Sequence, residues 1–115
     1  MLNTYLDKVK FDSYEDFMQN FKVNVPADFN FGYDVIDRFS RETPEKDVLL
    51  WVNDHGDEKH VTYRAFKNLS DQCAAFLQGI GIKKGDHVML ILKRHWQFWY
   101  AMLGLHKIGA VAIPA

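Results

Sequence analysis

Only one cysteine, Cys73, stands in the 115 residues, so no disulfide closes within the chain. It lies on the apolar side of a helix-like segment with no cationic neighbour in sequence, and it reads as a small buried hydrophobe rather than a reactive thiol. Charge of one sign is lacking too: 14 Lys and Arg oppose 15 Asp and Glu, a formal net charge of −1. That balance points away from nucleic acid and from polyanionic membrane surfaces. Long hydrophobic runs are absent. The longest, residues 96–105, contains Gln97 and falls well short of the roughly 20 residues that a membrane span needs. The opening MLNTYLDKVKFD has no basic region followed by an apolar one, so no signal peptide is read there and a cytoplasmic location is expected. The five histidines, His55, His60, His87, His95 and His106, show no metal-ligand spacing, and the acids around Gly56 do not match a calcium loop.

Aromatics, by contrast, are plentiful at 15% of residues, which suggests more apolar surface than one small core needs. Ser13 is an expected N-cap for a helix whose first turn holds Glu15 and Asp16. Tyr14, Phe17, Met18 and Phe21 recur at helical spacing and predict one buried face. An extended stretch around Pro26 follows, and then a second helix with Val35, Ile36 and Phe39 inward, ended by Thr43-Pro44. DVLLWVND and KHVTY, joined by HGDE, read as a hairpin. Thr62 is the expected N-cap of a long helix with the stripe Phe66, Leu69, Cys73, Phe76, Leu77 and Ile80.

GIGIKKGDHVMLIL, residues 79–92, has the glycines of a phosphate loop in the wrong setting. Lys84 occupies the third glycine's place, and the segment follows a helix and precedes a strand, the reverse of a dinucleotide loop. The residues instead fit a helix stop, with Gly81 in the left-handed position and Ile82 touching Leu77. HVMLIL then reads as a strand buried on both faces. HWQFWYAMLGLHKIG is a helix ending at Gly109 with His106 and Lys107 in its last turn, and AVAIP is a second buried strand. Strand, helix, strand makes a parallel βαβ unit. The last strand has no covering helix, so the sequence reads as part of a larger domain. The fold class expected is α/β: a β-hairpin plus a parallel βαβ unit with flanking helices.

VTYRAFKNLSDQCAAFLQGIGIKKGDHVML resembles the N-terminal region of the adenylate-forming superfamily, the acyl-CoA synthetases and their relatives. The residues that carry it are Thr62, Tyr63, Leu77, Gly81, Gly85, Asp86 and Val88, and FWYAMLGLHKIGAVAIPA continues the match. FNFGYDVID and LKRHWQFWYAMLGLHKIGAVAIPA are most similar to the short- and medium-chain acyl-CoA synthetase branch. One departure is Ala65, where the family often has a Glu that completes a capping box; losing that bond costs about 1 kcal/mol or less. The resemblance covers residues 29–115. It implies that residues 1–32 are an N-terminal helix and extended lead-in and that residues 33–115 begin the large AMP-binding-type domain.

The resemblance implies a parent enzyme that activates a small carboxylic acid with ATP and magnesium, then transfers the acyl group to CoA. The family's Ser/Thr/Gly-rich phosphate loop, its aromatic-x-x-Thr-Glu motif, its ribose-binding Asp and its late lysine do not occur in these residues. The chain alone is therefore expected to be inactive, to hold no cofactor, and to have the remainder of the parent as its partner, with self-association of the exposed aromatic surface in its absence. Lys93 and Arg94 fall at the carboxyl end of a parallel strand, where open α/β sheets bind ligands. They read either as contacts to the phosphates of CoA or as surface cations before a helix. The aromatics Trp96, Phe98, Trp99 and Tyr100 read either as an acyl-pocket wall or as interdomain packing. Three alternatives to the synthetase reading stay open: a stand-alone nucleotide-binding module, a non-catalytic interaction protein, and another adenylate-forming ligase.

Overall fold

The computed structural model describes residues 2–115. A short helix α1 (Leu2–Tyr5) leads into a loop, and α2 (Tyr14–Asn20) begins where expected. The Ser13 hydroxyl accepts the Asp16 amide at 3.1 Å, which satisfies one of the helix's free N–H groups. The Asp16 carboxyl is lowered to about 2, chiefly by the hydrogen bond from Lys8. The face of α2 is a correction to the expectation. Tyr14, Phe17, Met18 and Phe21 are all exposed, Tyr14 by 70%. Phe17 and Phe21 stack at 4.8 Å, and Phe11 meets Phe17 edge-on at 5.2 Å, so this apolar stripe is sheltered by local aromatic pairing at the surface.

The next helix is not a plain α-helix. It starts as a π-helix, Gly32–Asp37, and tightens into α3 (Arg38–Glu42), which Thr43 ends. The wider π turn shifts the register by one residue. As a result Val35, Ile36 and Asp37 are buried in succession, with Phe39 half-buried after them. Gly32 is required at its start, because a Cβ there would lie 2.7 Å from Lys107 Cγ.

Strands β1 (Asp47–Val52) and β2 (Glu58–Thr62) pair antiparallel, with Trp51 opposite Lys59 and a bulge between Asp47 and Leu49. Asn53 builds the hairpin tip, its side-chain oxygen accepting the amides of His55 and Asp57, both at 2.9 Å. Helix α4 (Tyr63–Gly79) follows directly, and Thr62 Oγ1 accepts the Ala65 amide at 3.3 Å. Backbone carbonyls satisfy two other free amides of this first turn. The amides of Tyr63 and Arg64 donate to the carbonyls of Lys46 and Pro44 at 3.0 and 3.1 Å. The helix start is thus tied to the segment ahead of β1, which a side-chain cap would not do.

At its other end α4 closes as the sequence predicts. The Ile82 amide donates to Leu77 O and the Gly81 amide to Gln78 O, each at 3.0 Å, with Gly81 at φ +98°. The buried side of α4 departs from the expected stripe. Phe66, Ser70 and Ala74 are buried, whereas Phe76 is 65% exposed and Ile80 is exposed as well. Small residues define this face because helix α5 (Gln97–Ile108) crosses it closely: a Cβ on Gly104 would sit 3.0 Å from Cys73 Cβ and 3.1 Å from the Ala74 nitrogen. Cys73 is half-buried there, and burial pushes its thiol pKa up, in keeping with a packing role. The core of Val35, Ile36, Val61, Phe66 and Leu103 lies between the π-helix, the hairpin, α4 and α5.

Strands β3 (His87–Leu90) and β4 (Val111–Pro114) pair in parallel through α5, completing the expected βαβ unit. Gly109 ends α5 at φ +73°. The two strands are not buried on both faces, contrary to the continuous apolar reading. Met89 lies opposite Ile113, and both are exposed together with Ile91 and Val111. The radius of gyration, 17.0 Å, exceeds the about 13 Å typical of a compact domain of this length. One apolar sheet face therefore stands open.

Lys107 is the largest departure from the sequence reading, which placed it in a helix's last turn and gave it no partner. Its side chain is fully buried, and its ammonium donates to Asp37 at 2.7 Å and to Asp71 at 2.5 Å. Asp71 also accepts from Lys67 at 2.5 Å. Partial burial alone would raise the Asp71 carboxyl, but the hydrogen bonds from Lys107 and Lys67 outweigh it and hold it below its ordinary value. One cation thus joins α5, α4 and the π-helix.

Two measurements check this packing. Gly104→Leu is expected to lower the unfolding free energy by about 1–3 kcal/mol in urea titration, because the added side chain meets helix α4 at contact distance. Lys107→Ala leaves Asp37 buried without its counter-ion and is expected to cost about 3–5 kcal/mol in the same titration. Asp71, whose folded pKa is depressed, stabilises the fold above the ordinary carboxylate value of 3.8 and ceases to do so as pH falls through its lowered value. The acid limb of stability should therefore be shallower in Lys107→Ala.

Candidate functional site

Beyond Leu90 the chain leaves the sheet and turns before α5. Lys93 takes φ +39°, the one positive-φ residue besides glycines among those described. The His95 amide donates to Leu92 O at 3.0 Å, and the Phe98 amide to His95 O at 3.1 Å, which carries the turn into the helix. The hairpin reaches over this turn. Trp51 Nε1–H donates to the Arg94 carbonyl at 2.7 Å. Lys59, the cross-strand partner of Trp51, places its ammonium 4.5 Å from the centre of the Trp96 ring, a cation–π contact.

Trp51, Lys93, Arg94 and His95 line an open cleft of about 500 Å³. A smaller recess of about 230 Å³ shares Trp51 and Arg94 with it and is also lined by Asp54 and His55. Lys93 and Arg94 are exposed, and among the described residues neither lies within ion-pair distance of a carboxylate. Two uncompensated cations at the carboxyl end of a parallel strand suit an anion such as a phosphate. The sequence located these two residues; it did not locate Trp51. The available signal was a tryptophan at an inward strand position, whose N–H needs an acceptor.

The remaining candidates separate clearly. All five histidines are exposed, and His60 is spent on Asp47 at 2.6 Å. Among the described residues no group of three or more His, Cys, Asp or Glu is arranged to hold a metal ion. Trp96, just ahead of α5, and Tyr100 on it pack against the core, whereas Trp99 is exposed and lines an apolar recess of about 270 Å³ with Phe31, Phe66 and Met102. A cleft of about 720 Å³, bordered by Tyr5, Tyr33, Arg38 and Arg41, went unread in the sequence because its walls come from segments far apart in the chain. No helix among the described residues is long and apolar enough to cross a membrane.

Comparison with known proteins places this geometry. Human acyl-coenzyme A synthetase ACSM3, mitochondrial, is 32% identical over 110 residues, 90% of this chain and 19% of that protein. Rat acyl-coenzyme A synthetase ACSM2, mitochondrial, is 38% identical over 97 residues, 78% of this chain and 17% of that protein. The chain thus spans about a fifth of the length of these relatives. Among solved structures, the fatty acid AMP ligase from Legionella pneumophila matches with a TM-score of 0.68 and 29% identity, covering 72% of this chain and 14% of that one. The acetoacetyl-CoA synthetase from Streptomyces lividans shares the fold at a TM-score of 0.73 and 23% identity, over 83% of this chain and 15% of its own. The family model described as AMP-binding enzyme matches residues 36–115, and with the α/β architecture above it establishes that the chain belongs to the AMP-binding enzyme family.

Proposed function

We propose that this chain is the N-terminal scaffold segment of an acyl-CoA synthetase. In the reaction proposed, a carboxylate oxygen attacks the α-phosphorus of ATP and pyrophosphate leaves. The CoA thiolate then attacks the acyl carbon of the resulting acyl-adenylate, and AMP leaves. The observation that carries this reading is the family match over residues 36–115, together with relatives whose printed names are acyl-coenzyme A synthetases. Residues 1–32 form the lead-in and residues 33–115 begin the AMP-binding domain in this reading. The parent uses ATP, magnesium and CoA, while the activating motifs of the family lie outside these residues.

Lys93 and Arg94 are assigned to the phosphates of CoA, supported by their exposure and the lack of a carboxylate partner among the described residues. The open face of Met89, Ile91, Val111 and Ile113 is where the remainder of the enzyme packs. A cytoplasmic compartment remains the reading of the sequence, although the ACSM relatives carry mitochondrial in their names.

Two experiments test this. The protein expressed with its downstream coding sequence should catalyse acid-dependent ATP–pyrophosphate exchange. The 115-residue chain should give only background and sediment as self-associated species; clear exchange by the short chain would overturn the scaffold reading. Replacing both Lys93 and Arg94 by Ala in the longer protein should raise the KM for CoA by roughly tenfold or more, as loss of two charge-assisted contacts implies. An unchanged KM would remove the phosphate assignment.

A further inference from the structure

We infer that Trp51 is a positioning residue that holds the Lys93–Arg94 turn in the geometry needed to receive an anion. The inference rests on the phosphate role proposed for those two cations. Lys93 carries a Cβ at φ +39°, a conformation that persists in a non-glycine residue only when its surroundings impose it. Three sets of contacts impose it here. Upstream, Leu90 is fixed by its pairing with Pro114 and by the Ala115 amide, which donates to Leu90 O at 3.0 Å. Downstream, the His95 amide closes onto Leu92 O at 3.0 Å and the chain enters α5.

Between these anchors, the Arg94 carbonyl is held from the side by the Trp51 indole N–H at 2.7 Å, across 43 residues of sequence. That bond comes from a different sheet, so it ties the turn to the hairpin. The hairpin grips the same turn a second time through Lys59 and Trp96. Lys59 sits directly opposite Trp51 in the β-register, so one rung of the hairpin supplies both contacts. Fixing the turn before the ligand arrives spares binding the entropy of ordering two long cationic side chains on a mobile loop. Trp51 itself need not touch the ligand.

Trp51→Phe keeps an aromatic ring and deletes the donor. In the longer protein, amide hydrogen exchange read by mass spectrometry should quicken in peptides spanning residues 92–95 in Trp51→Phe while peptides from α4 and α5 keep their protection. In the longer protein the KM for CoA should rise by roughly tenfold, with the KM for ATP moving less than twofold. A benzothienyl analogue at Trp51 preserves the bicyclic shape and lacks the N–H; it should reproduce both effects, and it replaces Trp51→Phe if that variant does not fold. Unchanged exchange across residues 92–95 would overturn the inference. So would an unchanged KM for CoA in a background where replacing Lys93 and Arg94 raises it. If replacing the two cations leaves that KM unaltered, the phosphate role fails instead, and the exchange data still decide whether Trp51 orders the turn.

Discussion

A single ammonium group, Lys107 Nζ, fixes how the helices of this chain meet. It reaches Asp37 on the π-helix and Asp71 on α4 from the last turn of α5, with no part of its side chain exposed to water. Such a group is tolerated only if its charge is answered, and the two carboxylates answer it. Its stem also explains the element it touches. Gly32 opens the π-helix because Lys107 Cγ occupies the space of a Cβ, and the π turn in its widened register presents Asp37 to the ammonium. Gly104, one turn earlier on α5, lets that helix lie against Cys73 and Ala74. Close approach and buried charge act together: the first brings the acids within reach, and the second keeps the helices from sliding.

Helix α5 in turn decides where the sheet and its outgoing turn lie. It links β3 to β4 and packs on one of their faces, so its fixed position carries the Lys93–Arg94 turn to the edge of the hairpin. The segment ahead of β1 holds the start of α4 by two backbone hydrogen bonds, and the hairpin holds the turn by the Trp51 indole. The chain therefore behaves as a frame whose rigid joints converge on the carboxyl end of β3. The opposite sheet face, with Met89 and Ile113 open, contributes nothing to that convergence and is the apolar surface that a larger domain would enclose.

Local signals in the sequence were read correctly wherever the physics is local. Ser13 and Thr62 cap their helices, Gly81 and Gly109 stop theirs, and the hairpin and parallel unit form where turn residues and apolar runs place them. Burial was read less well. Tyr14 and Met18 have helical spacing yet face water, and Phe76 and Ile80 extend a stripe that the packing of α5 does not cover. Periodicity identifies an amphipathic face without saying whether anything lies against it. For the candidate site, Lys93 and Arg94 were visible as cations at a strand end. Trp51 was not, because a hydrogen bond across 43 residues leaves no local trace.

What the sequence determined alone is the order of the elements from α2 onward and the ends of those with a cap, a left-handed glycine or a proline at their boundary. Those are settled by caps, left-handed glycines and proline, whose effects reach only a few residues. Tertiary structure alone decided that the first turns of the second helix widen to a π-helix, that small Ser70 and Ala74 rather than Phe76 face the partner helix, and that a terminal lysine lies buried between two aspartates. Each depends on how closely two helices approach, and that distance is set by the sum of contacts across the whole chain.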